Sequence, residues 1–382
     1  MNLSFDEQQE MMRKSIRDFL EDHYPVSKTR VFTEEDQEMD LKLWKGIADL
    51  GITGILIQEE YGGLGLTPVD QLVIQEEMGR YLTPAPVKVN ALASYLLNNA
   101  SNVEDYREKL MEIAEGKSIC TIGLLERSGK WDQPSTNVKQ NAGSLLLNGT
   151  KIGVSFAAMS HDVLVSAIDE QGKVGLYLVP LEEEGVSCRM VKTVDATLPW
   201  YEVTFQNVRL PQESKLIDGV KSLFETCIQV GSVFTCAESL GGMERILKLT
   251  NEYAKERIQF GKPIGSFQAI KHKLADMLVN IERAKALIYY ASLEFVEKVD
   301  TAALSIASAK ILTADSYYSV VREGIQIHGG MGFSWEHDMH LYLRRSTVNQ
   351  SEFGDPGQHK KVMRKELGLE EIKDTISATI VS

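Results

Sequence analysis

The sequence predicts a mostly α-helical protein with a middle β domain, and three observations carry this prediction. Apolar residues recur at helical spacing through residues 1–117, strand-forming runs follow one another through residues 118–215, and helical patterns return over residues 216–382. A chain of 382 residues is too long for one simple core, so two or three domains are expected.

The first block is predicted to be helical, apart from one glycine-rich loop. Ser4, followed by Asp6 and Glu7, is typical of a helix start, because a hydroxyl can cap the first turn and the helix dipole favours acids there. Further helices are predicted over residues 43–50, 70–81, 85–100 and 106–114, with the loop over residues 51–70.

The middle block is predicted to be a small β barrel or sandwich. Strand-forming runs recur in residues 118–125, 162–168, 174–180, 185–192 and 201–205. Between two further runs, residues 144–147 and 151–156, Asn148-Gly149 predicts a hairpin turn, because this dipeptide is the strongest short-range hairpin signal.

The last block is predicted to be a helical bundle. Helical period is present in residues 224–249, 251–256, 266–296, 301–324 and 335–348. The apolar residues of 266–278 fall on one stripe, as they do in a bundle helix. The tail after Glu371 is predicted to be loose or weakly docked.

Composition excludes several classes of partner. The net charge is -13, with 54 acidic and 41 basic residues and no basic block, so no nucleic acid partner is expected. The polar N-terminus and the lack of a long apolar run predict a cytoplasmic protein with no membrane contact. Four cysteines without a CxxC pair indicate reduced packing residues. His337 and His340 lie three apart, but a third ligand is not placed, so no metal is expected.

Four motifs occur in a defined order along the chain: EEYGGLGLTPVD, EEMGR, YAKERIQFGKPIGSFQAIKHKLADM and QIHGGMGF. A single glycine motif would be weak evidence, because glycine pairs are common in turns. In this order and spacing, the four motifs resemble the acyl-CoA dehydrogenase family of flavoproteins over nearly the whole chain. The resemblance implies N-terminal helices, a middle β domain and a C-terminal four-helix bundle.

The resemblance also implies an activity, a cofactor and partners. The activity is the α,β-dehydrogenation of an acyl-CoA substrate, with FAD as cofactor and an electron-transfer flavoprotein as the acceptor of the electrons. Family members form oligomers, usually tetramers packed through the C-terminal helices. A homotetramer is therefore expected, or a heteromer with a second acyl-CoA dehydrogenase-like subunit.

Most of the implied FAD residues belong to the diphosphate and adenosine end of the cofactor. The resemblance assigns the diphosphate to Arg257, whose planar charged fork suits such a group. The residues that it assigns to the adenosine end and to the adjoining loop are Phe260, Gln268, Gln326, Gly329 and Gly330. In the family these groups reach the FAD of a neighbouring subunit, and only glycine lets the backbone approach so closely.

The side of the flavin ring departs from the family pattern. Leu125 stands where a hydroxyl normally bonds the ring, while Ser155 keeps the hydroxyl of the next strand. Gly153 replaces the family tryptophan. Glu126 and Asp132 mark either the mouth of the substrate site or a solvated loop. Asp355, near the end of the motif region, is also assigned to the cofactor.

The catalytic base is the clearest departure. An ungapped match places Phe353 where the family has its glutamate, and the family's alternative base position matches Gly231. Glu352 is one residue away, and adjacent helical residues point about 100° apart, so its use requires a local rearrangement.

Three interpretations stay open. The first is a working dehydrogenase with Glu352 as base. The second is a non-catalytic subunit, with Glu352 solvated, that completes the FAD site of a partner. The third is a protein that binds CoA thioesters without redox chemistry, in which the Phe353 N–H can still bond the thioester carbonyl.

Overall fold

The computed structural model describes residues 5–35, 38–131, 133–219 and 222–369. Its contacts divide the chain into two units, Asp6–Gly231 and Ser232–Ser382 with Met1–Phe5. The division falls within one long helix, between Gly231 and Ser232. The predicted tail after Glu371 lies outside the described residues.

The first unit begins with helices, and its first helix is capped by Asp6. The Asp6 carboxylate accepts a hydrogen bond from the Gln9 N–H (2.8 Å), and the Gln9 side chain accepts one from the Asp6 N–H (3.2 Å). This reciprocal pair satisfies two donors of the first turn. Ser4, the predicted start, lies outside the described residues. The helices are α1 (Glu7–His23), α2 (Val26–Glu34), α3 (Leu41–Asp49), α4 (Pro68–Tyr81), α5 (Val87–Asn98) and α6 (Arg107–Ala114).

Helix α4 is buried on nearly all sides, including its acidic residues. Glu76 pairs with Arg13 of α1 (2.6 Å), and Glu77 pairs with Arg17 of α1 (2.7 Å) and with Arg80 (3.1 Å). Buried carboxylates require such partners, because an unpaired buried charge is strongly unfavourable. The arginines of α1 therefore allow α4 to lie inside this unit.

The β domain is one seven-stranded sheet with the order β1-β4-β2-β3-β7-β6, in which β5 pairs with β4. Its core is a single apolar cluster that includes Val154, Val163 and Phe205. The strands are β1 (Cys120–Gly123), β2 (Asn137–Asn141), β3 (Ser144–Ser155), β4 (Asp162–Ile168), β5 (Val174–Pro180), β6 (Val186–Met190) and β7 (Trp200–Leu210).

The predicted hairpin turn at Asn148-Gly149 is wrong. Both residues lie inside β3, where Gly149 pairs with Phe205 of β7 next to a bulge. The turn lies earlier, at Ala142-Gly143, and it joins β3 to β2, a strand that was not predicted. Gly149 serves packing instead, because a Cβ there would come within 2.4 Å of the Thr136 side chain.

The second unit is helical. Residues 224–249 and 251–256, predicted as two helices, form one continuous helix. A short helix at the end of the described chain was not predicted. The elements are α7 (Leu223–Glu256), β8 (Ile258–Gln259), β9 (Lys262–Pro263), α8 (Gln268–Val296), α9 (Ala302–His328), α10 (Met339–Asn349) and α11 (Pro356–Glu366). Among the described residues, no helix has the length and apolar character needed to cross a membrane.

Candidate functional site

Arg257 lies at the surface, directly after helix α7 ends. Its N–H donates to the Tyr253 carbonyl (2.9 Å), and its carbonyl accepts from the Ile264 N–H (2.8 Å). These bonds fix the backbone at the base of the β8–β9 hairpin, while the side chain stays exposed. An exposed guanidinium on a fixed backbone suits the binding of a diphosphate.

Phe260 stands at the tip of the same hairpin, in the left-handed conformation (φ +52°). Its side chain is 93% exposed and meets only the edge of the Phe267 ring among the described aromatic side chains, at a centroid distance of 6.1 Å. Burial of a phenylalanine side chain is worth about 1.5–3 kcal/mol. Phe260 does not gain this stabilisation within its own chain, so the ring is available to a ligand or to a second chain.

Gln326, Gly329 and Gly330 lie where helix α9 ends. Gly329 has φ +62° and ψ -138°, a combination that residues with a side chain avoid. A Cβ added to Gly329 or Gly330 would meet no atom within 4 Å. The glycine pair therefore leaves open space where a ligand can approach the backbone, and Gln326 is exposed beside it.

Gln268 opens helix α8, and its side chain contacts His272 (Nε2 to Nε2, 2.9 Å). It is exposed, as are all the other residues assigned to the diphosphate and adenosine end. The six residues therefore lie on the surface of the second unit, where their side chains are accessible to a ligand.

The structure brings Leu125 and the end of β3 together. The Leu125 carbonyl accepts from the Ile152 N–H (2.8 Å), and the Leu125 side chain would be 3.8 Å from a Cβ at Gly153. Ser155 is buried, and its carbonyl accepts from the Thr121 hydroxyl (2.7 Å). The leucine that replaces a hydroxyl is 38% exposed. Of the residues predicted for the side of the flavin ring, Leu125 and Gly153 are thus neighbours.

Glu126 is neither a solvated side chain nor the mouth of a substrate site, contrary to expectation. It is 3% exposed and forms an ion pair with Lys151, which is fully buried (2.7 Å). Burial alone would raise the pKa of Glu126, but hydrogen bonds from Lys151, Ser135 and Thr136 together lower it to about 2. Burial lowers the pKa of Lys151 to about 8, and Glu126 opposes this shift. Asp132 lies outside the described residues.

This pair was missed by sequence reasoning, although a signal was present. Lys151 lies between Leu147 and Val154, which face the core from the same strand. A lysine at an inward position of a strand requires a buried carboxylate as partner. The pair ties the segment after β1 to β3, directly beneath Leu125.

The Glu352 carboxylate points to helix α7. Helix α10 ends at Asn349, and residues 350–353 form a turn. Phe353, at the end of this turn, is left-handed (φ +54°). The Thr235 hydroxyl of α7 donates to Glu352 Oε2 (3.4 Å), and Glu352 is half-buried. Phe353 thus leaves the helical conformation directly after Glu352. The assignment of Glu352 as the base stays a prediction.

Asp355 caps helix α11. Its carboxylate accepts from the Gln358 N–H (2.9 Å), and its own N–H donates to the Gln358 side chain (2.8 Å). Helix capping is a sufficient reason for an aspartate at this position, and it requires no bound ligand. The assignment of Asp355 to the cofactor stays a prediction.

The two histidines that were considered as metal ligands pack against aromatic rings. His337 meets His328 edge-on (4.8 Å between centroids), and His340 meets Trp335 in the same way (4.7 Å). Among the described residues, no group of three or more His, Cys, Asp and Glu side chains is placed to hold a metal ion.

Helices, a middle sheet and helices again, with an exposed arginine and a glycine pair at helix ends, define the fold of a flavin-dependent acyl-thioester dehydrogenase. Two family models match: the acyl-CoA dehydrogenase N-terminal domain over residues 6–117 and the C-terminal domain over residues 218–367. The short-chain specific acyl-CoA dehydrogenase of Megasphaera elsdenii is 31% identical, over 83% of this chain and 88% of that protein. The chain belongs to the acyl-CoA dehydrogenase family, an oxidoreductase family.

Other relatives extend this comparison. The subunit CarC of the caffeyl-CoA reductase-Etf complex of Acetobacterium woodii is 29% identical, over 90% of this chain and 94% of that protein. The solved structure of butyryl-CoA dehydrogenase from Megasphaera elsdenii is 26% identical with a TM-score of 0.88, over 96% of this chain and 100% of that chain. The ChsE4-ChsE5 complex from Mycobacterium tuberculosis, at 22% identity, 96% and 99% coverage and a TM-score of 0.89, shares the fold.

FAD is the cofactor of this family, and an FAD complex of PigA has the same fold (22% identity, TM-score 0.87, covering 97% of this chain and 100% of that chain). The residues of this chain fit such a group. The exposed guanidinium of Arg257 would hold the diphosphate, and the open space at Gly329 and Gly330 would let it approach the backbone. Phe260 supplies an apolar ring that its own chain does not cover.

Proposed function

We propose that this chain is a working acyl-CoA dehydrogenase in which Glu352 takes the α-proton of the substrate. The observation that supports this role is the contact of Glu352 with Thr235 of α7 (3.4 Å). Thr235 follows Gly231, the family's alternative base position, by one helical turn, and residues one turn apart share a helix face. Glu352 thus directs a carboxylate toward the α7 face on which some family members carry theirs.

The reaction converts a Cα–Cβ single bond of the acyl group into a double bond. The Glu352 carboxylate takes the proton of the α-carbon, and bound FAD supplies the acceptor for the hydride of the β-carbon. A half-buried carboxylate that accepts a hydrogen bond from a hydroxyl is oriented for this step. A positioned base contributes about 10²–10⁴ in rate.

The test is a substitution series in the purified protein, with a panel of acyl-CoA thioesters and a dye acceptor. Glu352→Gln is expected to lower kcat by roughly 10² or more, because an amide cannot take the proton. Glu366→Gln, an exposed position at the end of α11, is the matched control and is expected to keep full activity. Full activity of Glu352→Gln would exclude Glu352 as the base.

The second candidate is a non-catalytic subunit of a heteromeric dehydrogenase. Phe353 at the family base position and the apolar Leu125 near the expected flavin ring favour it. This role predicts a protein that is colourless when expressed alone and gains flavin absorbance only with a second dehydrogenase-like subunit. A protein that only binds CoA thioesters would show affinity for them without flavin under both conditions.

An electron-transfer flavoprotein is the proposed acceptor of the electrons, and the first unit offers a docking surface. A cavity of about 550 Å³ lies between α1 and the segment that precedes α4. Three of its lining residues are exposed apolar side chains: Met11 (67%), Leu64 (48%) and Leu50 (39%). Exposed apolar patches of this kind mark interaction sites.

The docking surface is tested by placing a charge within it. Leu64→Glu is expected to slow reduction of an electron-transfer flavoprotein severalfold and to leave reduction of a small dye unchanged, because a charge in an apolar contact requires desolvation. Leu41→Glu is the control, since Leu41 is equally apolar, 66% exposed and outside the cavity lining. Equal effects on both acceptors would contradict this assignment.

A further inference from the structure

The carbonyl oxygen of Phe353 accepts hydrogen bonds from two side chains of different helices. The Ser232 hydroxyl of α7 donates at 3.2 Å, and the His359 Nε2 of α11 lies at 3.1 Å. Ser232 is fully buried and His359 is 3% exposed. The two lone pairs of this carbonyl are therefore both used by buried side chains, which ties it to α7 and to α11.

His359 is neutral, which determines how it bonds this carbonyl. Burial lowers the pKa of His359 to about 4, and the nearby Lys310 charge adds to this effect. The carbonyl of Phe353 and the charge of Asp355 act in the opposite direction. A neutral imidazole has one N–H, so the Nε2–H tautomer is the form that donates to Phe353.

Gly354 makes room for this ring. It has φ +106°, and a Cβ at this position would lie 2.8 Å from His359 Nε2. Any other residue would therefore push the imidazole away from the carbonyl that it bonds. The glycine, the histidine and the serine act on the same peptide group.

The peptide that they hold is a strained one. Phe353 is left-handed with φ +54°, a conformation that is unfavourable for a residue with a side chain. Such a conformation persists where surrounding contacts determine it, and it is often found at functional sites. The residue before Phe353 is Glu352, whose carboxylate contacts Thr235 of α7.

We propose that Ser232, His359 and Gly354 form a carbonyl clamp that positions Glu352 for proton abstraction. The clamp holds the peptide between Phe353 and Gly354, and so it fixes the left-handed conformation of Phe353. Because Phe353 follows Glu352 directly, this conformation fixes the end of the turn that carries the Glu352 side chain. His359 and Ser232 are positioning residues, since neither has to touch the substrate. This inference rests on the proposed role of Glu352 as base.

The test compares His359→Leu, which removes the donor, with His359→Gln, whose amide can still donate to the carbonyl. His359→Leu is expected to lower kcat by roughly tenfold to a hundredfold with little change in KM, because a misplacement of about 1 Å costs this much. His359→Gln is expected to recover most of the rate. Lys360→Leu, at the exposed neighbouring position of α11, is the control and keeps the wild-type kcat.

A second measurement does not depend on turnover. Amide hydrogen exchange of residues 350–356 is expected to be faster in His359→Leu and near the wild-type rate in His359→Gln. Ser232→Ala removes the second donor and Gly354→Ala displaces the imidazole, and both are expected to accelerate exchange in the same way. These two variants keep the test possible if His359→Leu does not fold. Wild-type exchange in the three clamp variants would overturn the clamp.

The two hypotheses fail in distinguishable ways. If Glu352→Gln keeps full activity while exchange is accelerated in His359→Leu, the clamp exists and the base is a different group, so the positioning of a base by the clamp is overturned. If exchange is accelerated but kcat is unchanged in His359→Leu, the clamp is structural only and the inference also fails.

Discussion

His359 makes the stability of the second unit depend on pH. Its pKa is lowered by burial to about 4, from an ordinary value of 6.5. Between these two values the unfolded chain binds a proton that the folded protein does not, so stability is present above pH 6.5 and is lost as pH falls toward 4. The shift corresponds to about 3 kcal/mol.

The expected result is a difference between two unfolding curves. The free energy of unfolding by urea of the wild type is expected to fall more steeply between pH 6.5 and 4 than that of His359→Gln, which has no titrating group there. Lys310 and Asp355, the charged groups near this ring, are the same in both proteins. Parallel curves would show that folding does not lower the pKa of His359.

The buried Glu126–Lys151 pair gives a second prediction for single residues. Lys151→Met leaves the Glu126 carboxylate buried without its partner, and we expect a loss of about 3–5 kcal/mol in the free energy of unfolding. Lys45→Met is the control, because Lys45 pairs with Asp49 at the surface and such pairs contribute little. Equal losses in the two variants would mean that the Lys151 pair is not buried in solution.

At the scale of single residues, the sequence allowed only part of the candidate site to be predicted. The motifs assigned Arg257 and the glycine pair to FAD, and these assignments stay predictions. The left-handed conformation of Phe353 could not be predicted from the sequence, because its carbonyl is bonded by Ser232, more than a hundred positions away. Glu126 was misinterpreted for the same reason, since its partner lies on another strand.

At the scale of elements, Gly149 shows how one dipeptide can support two structures. An Asn-Gly pair usually turns a hairpin, but here the residues on both sides pair with β7 and continue one strand. The pairing of the 12-residue strand β3 with its neighbours outweighs the local turn preference of Asn148 and Gly149. The sequence does not indicate this, because β7 lies about 50 residues further along the chain.

Gly149→Ala tests the packing role of this glycine. The new Cβ would lie 2.4 Å from the Thr136 side chain and 2.6 Å from its Cα, so we expect a loss of about 1–3 kcal/mol in the free energy of unfolding by urea. Gly172→Ala is the comparison, since Gly172 also has a positive φ (+79°) but its Cβ would meet no atom within 4 Å. If Gly149→Ala cost no more than Gly172→Ala, the contact with Thr136 would carry no energy.

Helix α4 shows a different limit. Its period identified it as a helix, but the period does not show that its two glutamates are buried. They are buried because α1 supplies Arg13 and Arg17. Helix periodicity reports which residues share a face, whereas burial depends on what covers that face.

For the whole molecule, the order of helices, sheet and helices was predicted correctly, because it depends on local periodicity. The connections within the sheet were not, since β1 runs parallel to β4 and the two are separated along the chain by β2 and β3. Helix α2 was missed because its β-branched residues have low helix propensity. Helix α11 was missed although Asp355 and Pro356 form a good helix start.

Phe260→Ser tests whether the surface of the second unit completes an FAD site or a subunit contact. We expect a lower ratio of flavin to protein absorbance in the purified protein, or a smaller assembly in light scattering, because the ring has little cover in its own chain. Leu367→Ser, at another exposed apolar residue (52%), is expected to change neither quantity. If Phe260→Ser changed neither, the ring would have no partner at all.

The exposed Phe260 ring also has a consequence for the biosynthesis of the protein. On the proposal that a second chain covers this ring, a newly made chain presents it to other apolar surfaces in the cell until it assembles. The unassembled chain is therefore the species most prone to aggregate, and the yield of soluble protein in overexpression is expected to depend on the balance between synthesis and assembly.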